Sequence, residues 1–216
     1  LIAETEKLCS HLHIPLQSGS NDVLKLMRRR YLKELYVDRV KKIKATMPHA
    51  CIGVDVIVGF PGETDEEFEQ TMQYIEQVGF GHIHIFTYSD REGTKAARLP
   101  NKISKEVKKE RSRRLHELAA RLKAQELEAQ LGQNVPILWE SSNQTNEDGS
   151  HRYHGYTPNY HKVAVDVPVD KSPERLILNT QLMSVDEEQG CLVGEITDEI
   201  PVAAADASAP IKIKQL

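Results

Sequence analysis

The chain has 216 residues, of which 28% are charged and 39% hydrophobic, and a formal net charge of −4 at pH 7. This composition is typical of a soluble globular protein with one or two domains. No apolar run approaches the roughly 20 residues of a membrane-spanning helix, and no signal-peptide pattern precedes the first predicted strand. We therefore expect no membrane association.

Charge and pattern divide the sequence near Leu131-Gly132. Residues 1–132 carry 22 Lys and Arg against 19 Asp and Glu, a net charge of +3, whereas residues 133–216 carry 6 against 13, a net charge of −7. We predict a first domain over 1–132, a second over 133–200 and a poorly ordered Ala-rich tail over 201–216. Because the chain begins at Leu1 with residues typical of the end of a helix, we expect it to be the C-terminal part of a longer protein.

The three cysteines, Cys9, Cys51 and Cys191, lie far apart in the sequence and form no C-x-x-C motif. They predict neither a zinc site nor an iron–sulfur site in this chain. Scattered thiols are typical of a reducing cytosol, so we expect a cytoplasmic location. Cys51 is expected to be buried in a strand.

The first predicted strand and helix occupy residues 11–31, HLHIPLQSGSNDVLKLMRRRY. Apolar and polar residues alternate up to the turn Gln17–Ser20. A helix is predicted over Asp22–Arg29, and three consecutive arginines, Arg28–Arg30, mark its end. A strand that enters a helix through a small polar turn is how parallel α/β folds present a ligand site. The free N–H groups at such a helix start favour carboxylate or phosphate groups. The alternative is a plain helix cap by Ser20 or Asn21.

A second unit of the same design follows, with a strand over Ala50–Gly59 and a helix over Asp65–Val78 that opens with the capping box T-x-x-E. One face of the strand is predicted to meet helices and the other, with Asp55, to face a barrel lumen, where a buried carboxylate needs a partner. The turn between them, GFPGET, has two glycines that permit close approach to the backbone, and its Glu63 suits a ribose hydroxyl or an amine. It lacks the Gly-Lys-Ser/Thr ending of a P-loop, and the alternative is a tight turn that needs glycine for its dihedral angles.

The remaining elements complete an α/β pattern and then change to all-β. They are a helix over Lys33–Met47, a strand over His82–Tyr88, a polar loop over Ser89–Pro100 and a long helix from the cap Ser104 to about Leu131. Three strand–helix pairs in about 100 residues fit half of a β/α barrel. Beyond them, short strands are predicted over Val135–Glu140, Lys162–Val167, Arg175–Asn179 and Cys191–Ile196, with a surface loop over Asn143–Ser150. Such strands predict a small β-barrel of the oligonucleotide-binding type.

Two histidine pairs, His11/His13 and His82/His84, each share one face of a strand. They could bind a metal ion together, but no acidic or cysteine residue stands at a recognisable ligand spacing. The sequence therefore favours histidines that line a core or lumen, and we expect no metal ligand in this chain.

Two segments are strongly basic: residues 24–44 have a net charge of +7 and residues 102–123 one of +6. Solvated helix faces account for many such segments, and contact with a phosphate backbone is the other interpretation. In the second domain, four side chains are candidates for stacking on or steering a nucleic acid: Tyr153, Tyr156, Tyr160 and Lys162. The negative charge of that domain argues against strong electrostatic binding on its own.

Four segments together resemble the radical SAM methylthiotransferases: HLHIPLQSGSNDVLKLMRRRY, DVIVGFPGETDEEF, HIFTYSDREGTKAARL and GYTPNYHKV. The branch that they resemble most is the one that methylthiolates N6-threonylcarbamoyladenosine in tRNA. The resemblance implies the C-terminal half of a radical SAM (β/α)6 barrel, followed by a small OB-like all-β barrel called TRAM that binds tRNA. The family's C-x-x-x-C-x-x-C motif and the cysteines of its N-terminal domain are missing here, so the ligands of its two 4Fe-4S clusters are expected upstream.

The resemblance also implies which residues serve the site. Those that would hold S-adenosylmethionine are His13, Gln17, Ser18, Asp55, Ile57, Gly59, Glu63, Phe86 and Tyr88. Those that would contact tRNA phosphates are Arg28, Arg29, Arg30, Lys105, Lys108, Lys109 and Arg113. In the second domain, RNA would meet Tyr156, Tyr160 and Lys162. No catalytic residue is expected in this chain.

The chemistry that the resemblance implies is radical. A 4Fe-4S cluster that has been reduced by an electron donor cleaves S-adenosylmethionine to a 5′-deoxyadenosyl radical. This radical takes the hydrogen from C2 of the adenine ring, and a methylated sulfur from the second cluster is attached there. The chain alone is expected to be inactive. The alternatives are a methylthiotransferase that acts on isopentenyl-adenosine in tRNA or on a ribosomal protein, and a non-catalytic RNA-binding module.

Overall fold

The computed structural model describes residues 2–5, 8–142 and 144–202. The chain forms two compact units, Leu1–Lys123 and Ala124–Leu216, and each has its own hydrophobic core. The division falls inside a long helix, eight to nine residues before the boundary that charge and pattern suggest. Of the predicted tail, residues 203–216 lie outside the described part of the chain.

In the first unit, strands and helices alternate. It comprises strand β1 (His11–His13), helices α1 (Asn21–Leu26) and α2 (Lys33–Thr46), strand β2 (Cys51–Val58), helix α3 (Asp65–Val78) and strand β3 (His82–Thr87), with 3-10 turns at Ile2–Glu4 and Ala96–Arg98. Helix α4 (Lys105–Glu128) begins in this unit and continues beyond its last residue, Lys123. The three strands are parallel, in the order β1-β2-β3. The described fold is thus mixed α/β, as predicted.

Helix α1 ends three residues earlier than predicted. Arg28 adopts a left-handed backbone with a φ of 58°, and the N–H groups of Arg28 and Arg29 donate to the carbonyls of Lys25 and Leu24. This is the bonding pattern of a Schellman motif, which closes a helix. The three arginines therefore follow the helix instead of forming its last turn.

Strand β2 is the centre of the parallel sheet, and its two faces differ as the alternation predicts. Its even-numbered residues, Ile52, Val54, Val56 and Val58, are at most 1% exposed and pack with α3 and α4 residues in the core of the first unit. Asp55 and Ile57 lie on the other face and are partly exposed. The C-terminal ends of the three parallel strands meet at one edge of the sheet, where Gln17, Gly59 and Tyr88 follow them.

The second unit consists of strands β4 (Asn134–Trp139), β5 (Gln144–Thr145), β6 (His151–Tyr156), β7 (Lys162–Val167), β8 (Ile177–Asp186) and β9 (Cys191–Ile196). Their order is β4-β8-β9-β7-β6-β5, and β4 also pairs with β6, so the ladder of strands returns to β4. The sequence missed β6, because its histidines, arginine and glycine dilute the strand pattern. It also predicted a loop where the short strand β5 lies, and it ended the strand that corresponds to β8 at Asn179. Trp139, which is 1% exposed, lies in the core of this unit.

No helix in the described ranges is both long enough and apolar enough to cross a lipid bilayer.

Candidate functional site

The C-terminal edge of the parallel sheet borders a cavity of about 470 Å³. Its lining consists of Gln17, Asp55, Ile57, Phe86, Thr87, Tyr88, Ser89, Arg91, Thr94 and Ala96. Five of these are residues that the family resemblance assigns to the cofactor: Gln17, Asp55, Ile57, Phe86 and Tyr88. Sequence reasoning missed Arg91 and Thr94, since they lie in a polar loop without periodicity. The SDREGT string within the third resembling segment was the available signal for them.

Gln17 enters the cavity from a left-handed turn with a φ of 71°, a conformation that is uncommon outside glycine. Two backbone hydrogen bonds hold it against β2: its N–H donates to the Asp55 carbonyl at 2.7 Å, and its carbonyl accepts from the Ile57 N–H at 2.9 Å. Arg29 Nη2 donates to the Gln17 amide oxygen at 2.8 Å. The position and the orientation of this amide are therefore both fixed.

The rest of the Gln17–Ser20 turn packs against α3 instead of facing the cavity. Ser18 is 0% exposed, and its Oγ lies 3.2 Å from Thr71 Oγ1, which also accepts from the Gly19 N–H at 3.1 Å. The Ser20 N–H donates to Ser18 Oγ at 3.1 Å, and Ser20 caps α1. The prediction of free N–H groups at this helix start is wrong for Gly19 and Ser20, because each has a side-chain acceptor. The structure does not bring Ser18 to the cavity.

Glu63 closes the turn after β2. Its carboxylate accepts from the Gly59 N–H at 2.7 Å and forms an ion pair of 2.6 Å with Arg111 of α4, and the Glu63 side chain is 1% exposed. Arg111 also pairs with Asp65 at 2.6 Å. Burial raises the pKa of Glu63, opposed by the Gly59 N–H and by Arg111. Because it is enclosed in this way, the carboxylate is not presented to a ribose hydroxyl. Of the two interpretations of the GFPGET segment, a ligand-binding turn and a tight structural turn, the structure fits the second.

Asp55 has the partner that its position requires. His13 Nε2 lies 3.1 Å from Asp55 Oδ1, and the His13 and His84 rings lie 5.4 Å apart. Asp55 is paired with His84 in the β2–β3 ladder, as Ile57 is with Phe86. A polar row and an apolar row thus lie side by side on this face of the sheet. His13 supports Asp55 but is not itself among the cavity-lining residues.

Tyr88 is held on two sides. Lys108 Nζ donates to the Tyr88 carbonyl at 3.0 Å and lies 5.2 Å from the centre of its ring. The Phe60 ring meets the Tyr88 ring edge-on, with centroids 5.0 Å apart. Gly59 has a φ of 73°, and a Cβ there would lie 2.4 Å from Lys108 Cγ. Lys108 therefore packs across the two turns that end β2 and β3.

The predicted phosphate-contacting residues differ in availability. Arg113 is paired with Glu110 and Glu117, which raise the pKa of its guanidinium, Arg29 is engaged by Gln17, and Lys108 is engaged by Tyr88. All seven except the half-buried Lys108 are exposed, and those without one of these three side-chain contacts are Arg28, Arg30, Lys105 and Lys109.

The second unit displays two of its predicted tyrosines on the surface. The Tyr156 and Tyr160 rings are stacked, with centroids 4.9 Å apart and an interplanar angle of 16°, and Tyr160 is 52% exposed. Tyr156 stands opposite Lys162 in one ladder and opposite Leu138 in the other. Tyr153, by contrast, is 6% exposed in the core, so the expectation that it stacks on a nucleic acid is wrong.

The cavity suits an adenosyl cofactor, because aromatic side chains form one wall and amide, carboxylate and hydroxyl groups the others. The cysteines do not suit an iron–sulfur cluster, which takes several thiolates at one place. Cys51 is buried in β2 as predicted, Cys191 is buried in the second unit and Cys9 is exposed. We assign no cluster ligand to this chain.

Comparison with known proteins gives a family and a set of relatives. A family model described as the radical SAM superfamily matches residues 1–75. The threonylcarbamoyladenosine tRNA methylthiotransferase of Bacillus subtilis is 39% identical over 202 residues, which are 93% of this chain and 44% of the relative. The tRNA-2-methylthio-N(6)-dimethylallyladenosine synthases of Bacillus licheniformis and Geobacillus kaustophilus are 45% and 43% identical over 148 residues, 68% of this chain and 29% and 28% of theirs. The chain spans less than half the length of each of these relatives.

Proposed function

Because this chain belongs to the radical SAM methylthiotransferase family, we propose that it orients S-adenosylmethionine and tRNA in an enzyme that methylthiolates an adenosine of tRNA. The observation that carries the proposal is the cavity at the sheet edge. It gathers five residues, from three separate segments, that the family resemblance assigns to the cofactor. The relatives supply the reaction class, because their names describe methylthiolation of modified adenosines in tRNA.

Different cavity residues contact different parts of the cofactor. S-adenosylmethionine, when bound, supplies the radical chemistry of the family. Ile57, Phe86 and Tyr88 provide apolar surface for the adenine ring, and the Gln17 amide and Asp55 carboxylate provide polar contacts. His13 keeps the Asp55 carboxylate in place, and Lys108 does the same for the Tyr88 backbone.

We place N6-threonylcarbamoyladenosine first among the substrates. The relative named for that nucleoside matches 93% of the chain, including the second unit, whereas the synthases named for the dimethylallyl nucleoside match 68%. The dimethylallyl substrate is the second candidate, because its synthases have the higher identity over the shorter range.

Nucleoside analysis of tRNA from cells that lack the gene tests both the proposed reaction and the proposed choice of nucleoside. We expect 2-methylthio-N6-threonylcarbamoyladenosine to disappear and its precursor without the methylthio group to accumulate. Loss of the dimethylallyl counterpart instead would move the protein to the other branch. If both methylthio nucleosides persist at wild-type levels, the proposed function is wrong.

A further inference from the structure

A second cavity, of about 510 Å³, lies beside the first in the same unit. Its lining consists of Thr87, Tyr88, Ser89, Asp90, Lys105, Lys108, Lys109 and Ser112. Thr87, Tyr88 and Ser89 line both cavities. The end of β3 is therefore a wall that the two cavities share.

The second cavity is basic. Lys105 and Lys109 are four residues apart on α4, as are Lys108 and Ser112, so each pair lies on one side of the helix. The single carboxylate of the lining, Asp90, accepts from Lys102 Nζ at 2.6 Å and from the Tyr88 hydroxyl at 3.1 Å. Lys102 lies outside the lining and offsets the Asp90 charge, so three ammonium groups determine the charge of the cavity.

The three lysines differ in whether their ammonium groups already have a contact. Lys108 is held by the Tyr88 carbonyl and ring, whereas Lys105 and Lys109 are exposed. Hydroxyl groups of Thr87, Ser89 and Ser112 add neutral hydrogen-bond donors. Ammonium and hydroxyl donors together are the groups with which proteins contact phosphate oxygens of nucleic acids. The first turn of α4 adds the positive end of a helix dipole.

We propose that this second cavity binds a phosphodiester group of the RNA strand that carries the target adenosine to the first cavity. The inference rests on the proposed function and extends it to a particular contact. Lys105 and Lys109 make the ionic contacts, Ser112 donates a hydrogen bond, and Lys108 keeps the shared Tyr88 wall in position. The backbone on either side of a target base is close to that base, which is why a phosphate site belongs next to the cofactor cavity.

The test compares Lys105→Ala/Lys109→Ala with the control Lys41→Ala/Lys42→Ala, which removes the same charge from exposed positions of α2. Binding is measured by fluorescence anisotropy with three RNA oligonucleotides of one sequence, whose target base is adenosine, N6-threonylcarbamoyladenosine or N6-dimethylallyladenosine. We expect the first variant to bind all three RNAs about tenfold more weakly. The slope of log Kd against log salt should fall by about 0.7 for each single-strand phosphate that the variant no longer neutralises. Lys105→Arg/Lys109→Arg should retain both affinity and slope.

Three outcomes would overturn the inference. The first is a loss of affinity no larger than that of the control. The second is a loss confined to the threonylcarbamoyl RNA, since the cavity would then bind the carboxylate of the modified base. The third, no RNA binding by the unaltered chain, would overturn the RNA part of the proposed function as well. A persistent methylthio nucleoside in the deletion strain, with the lysine effect intact, would count against the proposed reaction alone.

Discussion

At Gly59 the backbone is left-handed and a side chain has no room. We predict that Gly59→Ala lowers the free energy of unfolding by about 2 to 5 kcal/mol, because a left-handed alanine costs about 1 to 2 kcal/mol and overpacking about 1 to 3. The clash is with Lys108 Cγ at 2.4 Å, so the variant should also bind S-adenosylmethionine more weakly, as Lys108 holds Tyr88. Urea unfolding and calorimetric titration measure the two effects.

Gly79 provides the matched control for this substitution. Its φ of 68° is similar, but a Cβ there would meet no atom within 4 Å. Gly79→Ala should therefore show only the dihedral cost. Because the clash involves one side chain, Gly59→Ala should cost less in a Lys108→Ala background. Equal destabilisation by the two glycine substitutions, or strict additivity with Lys108→Ala, would contradict the explanation.

Arg111 compensates a carboxylate that burial disfavours. Removing one partner of a buried ion pair costs about 3 to 5 kcal/mol because the other charge stays buried. We predict destabilisation of this size for Arg111→Met in urea unfolding. Arg114→Met, which removes a half-exposed pair with Glu69, should cost less than about 1 kcal/mol. Adding Glu63→Gln to Arg111→Met should recover most of the stability.

The stability of Arg111→Met should also depend more strongly on pH than that of the unaltered protein. Burial raises the pKa of Glu63 in the folded protein, so the folded state holds a proton that the unfolded chain has released. Raising the pH above the ordinary glutamate pKa of 4.5 therefore favours unfolding until the folded pKa is passed. Without Arg111 the pKa rises further, and the free energy of unfolding of Arg111→Met should fall more steeply with pH than that of the unaltered protein. Parallel pH profiles would argue against this account of Glu63.

Among the elements, the turn before α1 and helix α3 are joined by one hydroxyl. Thr71 Oγ1 accepts from the Gly19 N–H at 3.1 Å and contacts Ser18 Oγ. Thr71→Val keeps the shape but leaves the buried N–H without its acceptor, which costs about 1 to 3 kcal/mol. Thr71→Ser keeps the hydroxyl and should be less destabilising. Thermal or urea unfolding of Thr71→Val and Thr71→Ser measures this difference. A greater destabilisation by serine than by valine would contradict the role given to the hydroxyl.

How far the sequence predicts these elements depends on whether local signals decide their ends. Helix α3 has the predicted bounds, because its capping box at Thr64 is local and is present in the structure. The end of α1 was missed, since a left-handed arginine at position 28 has no sequence signature. At the site, the alternation of β2 predicted that Asp55 lies on the strand face away from the helices, and Asp55 lines the cavity on that face. The burial of Glu63 was not predictable, because its partner Arg111 is 48 residues away.

At the scale of the whole molecule, the two units would present different chemistry to the proposed RNA substrate. The first carries the exposed lysines, and the second, which is acidic overall, displays the Tyr156–Tyr160 stack. Removing the aromatic partner of a stacked base costs about 1 to 3 kcal/mol and does not involve phosphate charge. We predict that Tyr160→Ala weakens RNA binding by about 5- to 150-fold with an unchanged salt slope. Tyr160→Phe should bind as the unaltered chain does.

Measuring both the affinity and its salt dependence distinguishes base stacking from phosphate contact. A reduced slope for Tyr160→Ala would mean that the tyrosine positions a cation instead of a base. An unchanged affinity would remove the second unit's tyrosine pair from the proposed RNA contacts.

The fourth helix has a practical consequence for dissecting the protein. Leu115, Leu118 and Leu122 belong to the core of the first unit and Leu127 to that of the second, so the two units share an uninterrupted helix. Proteases cleave extended, exposed segments, whereas the junction at Lys123 lies inside a helix. Limited digestion should spare it, and a gene cut there would leave each product with half a helix. Expression of either unit alone should therefore keep α4 whole.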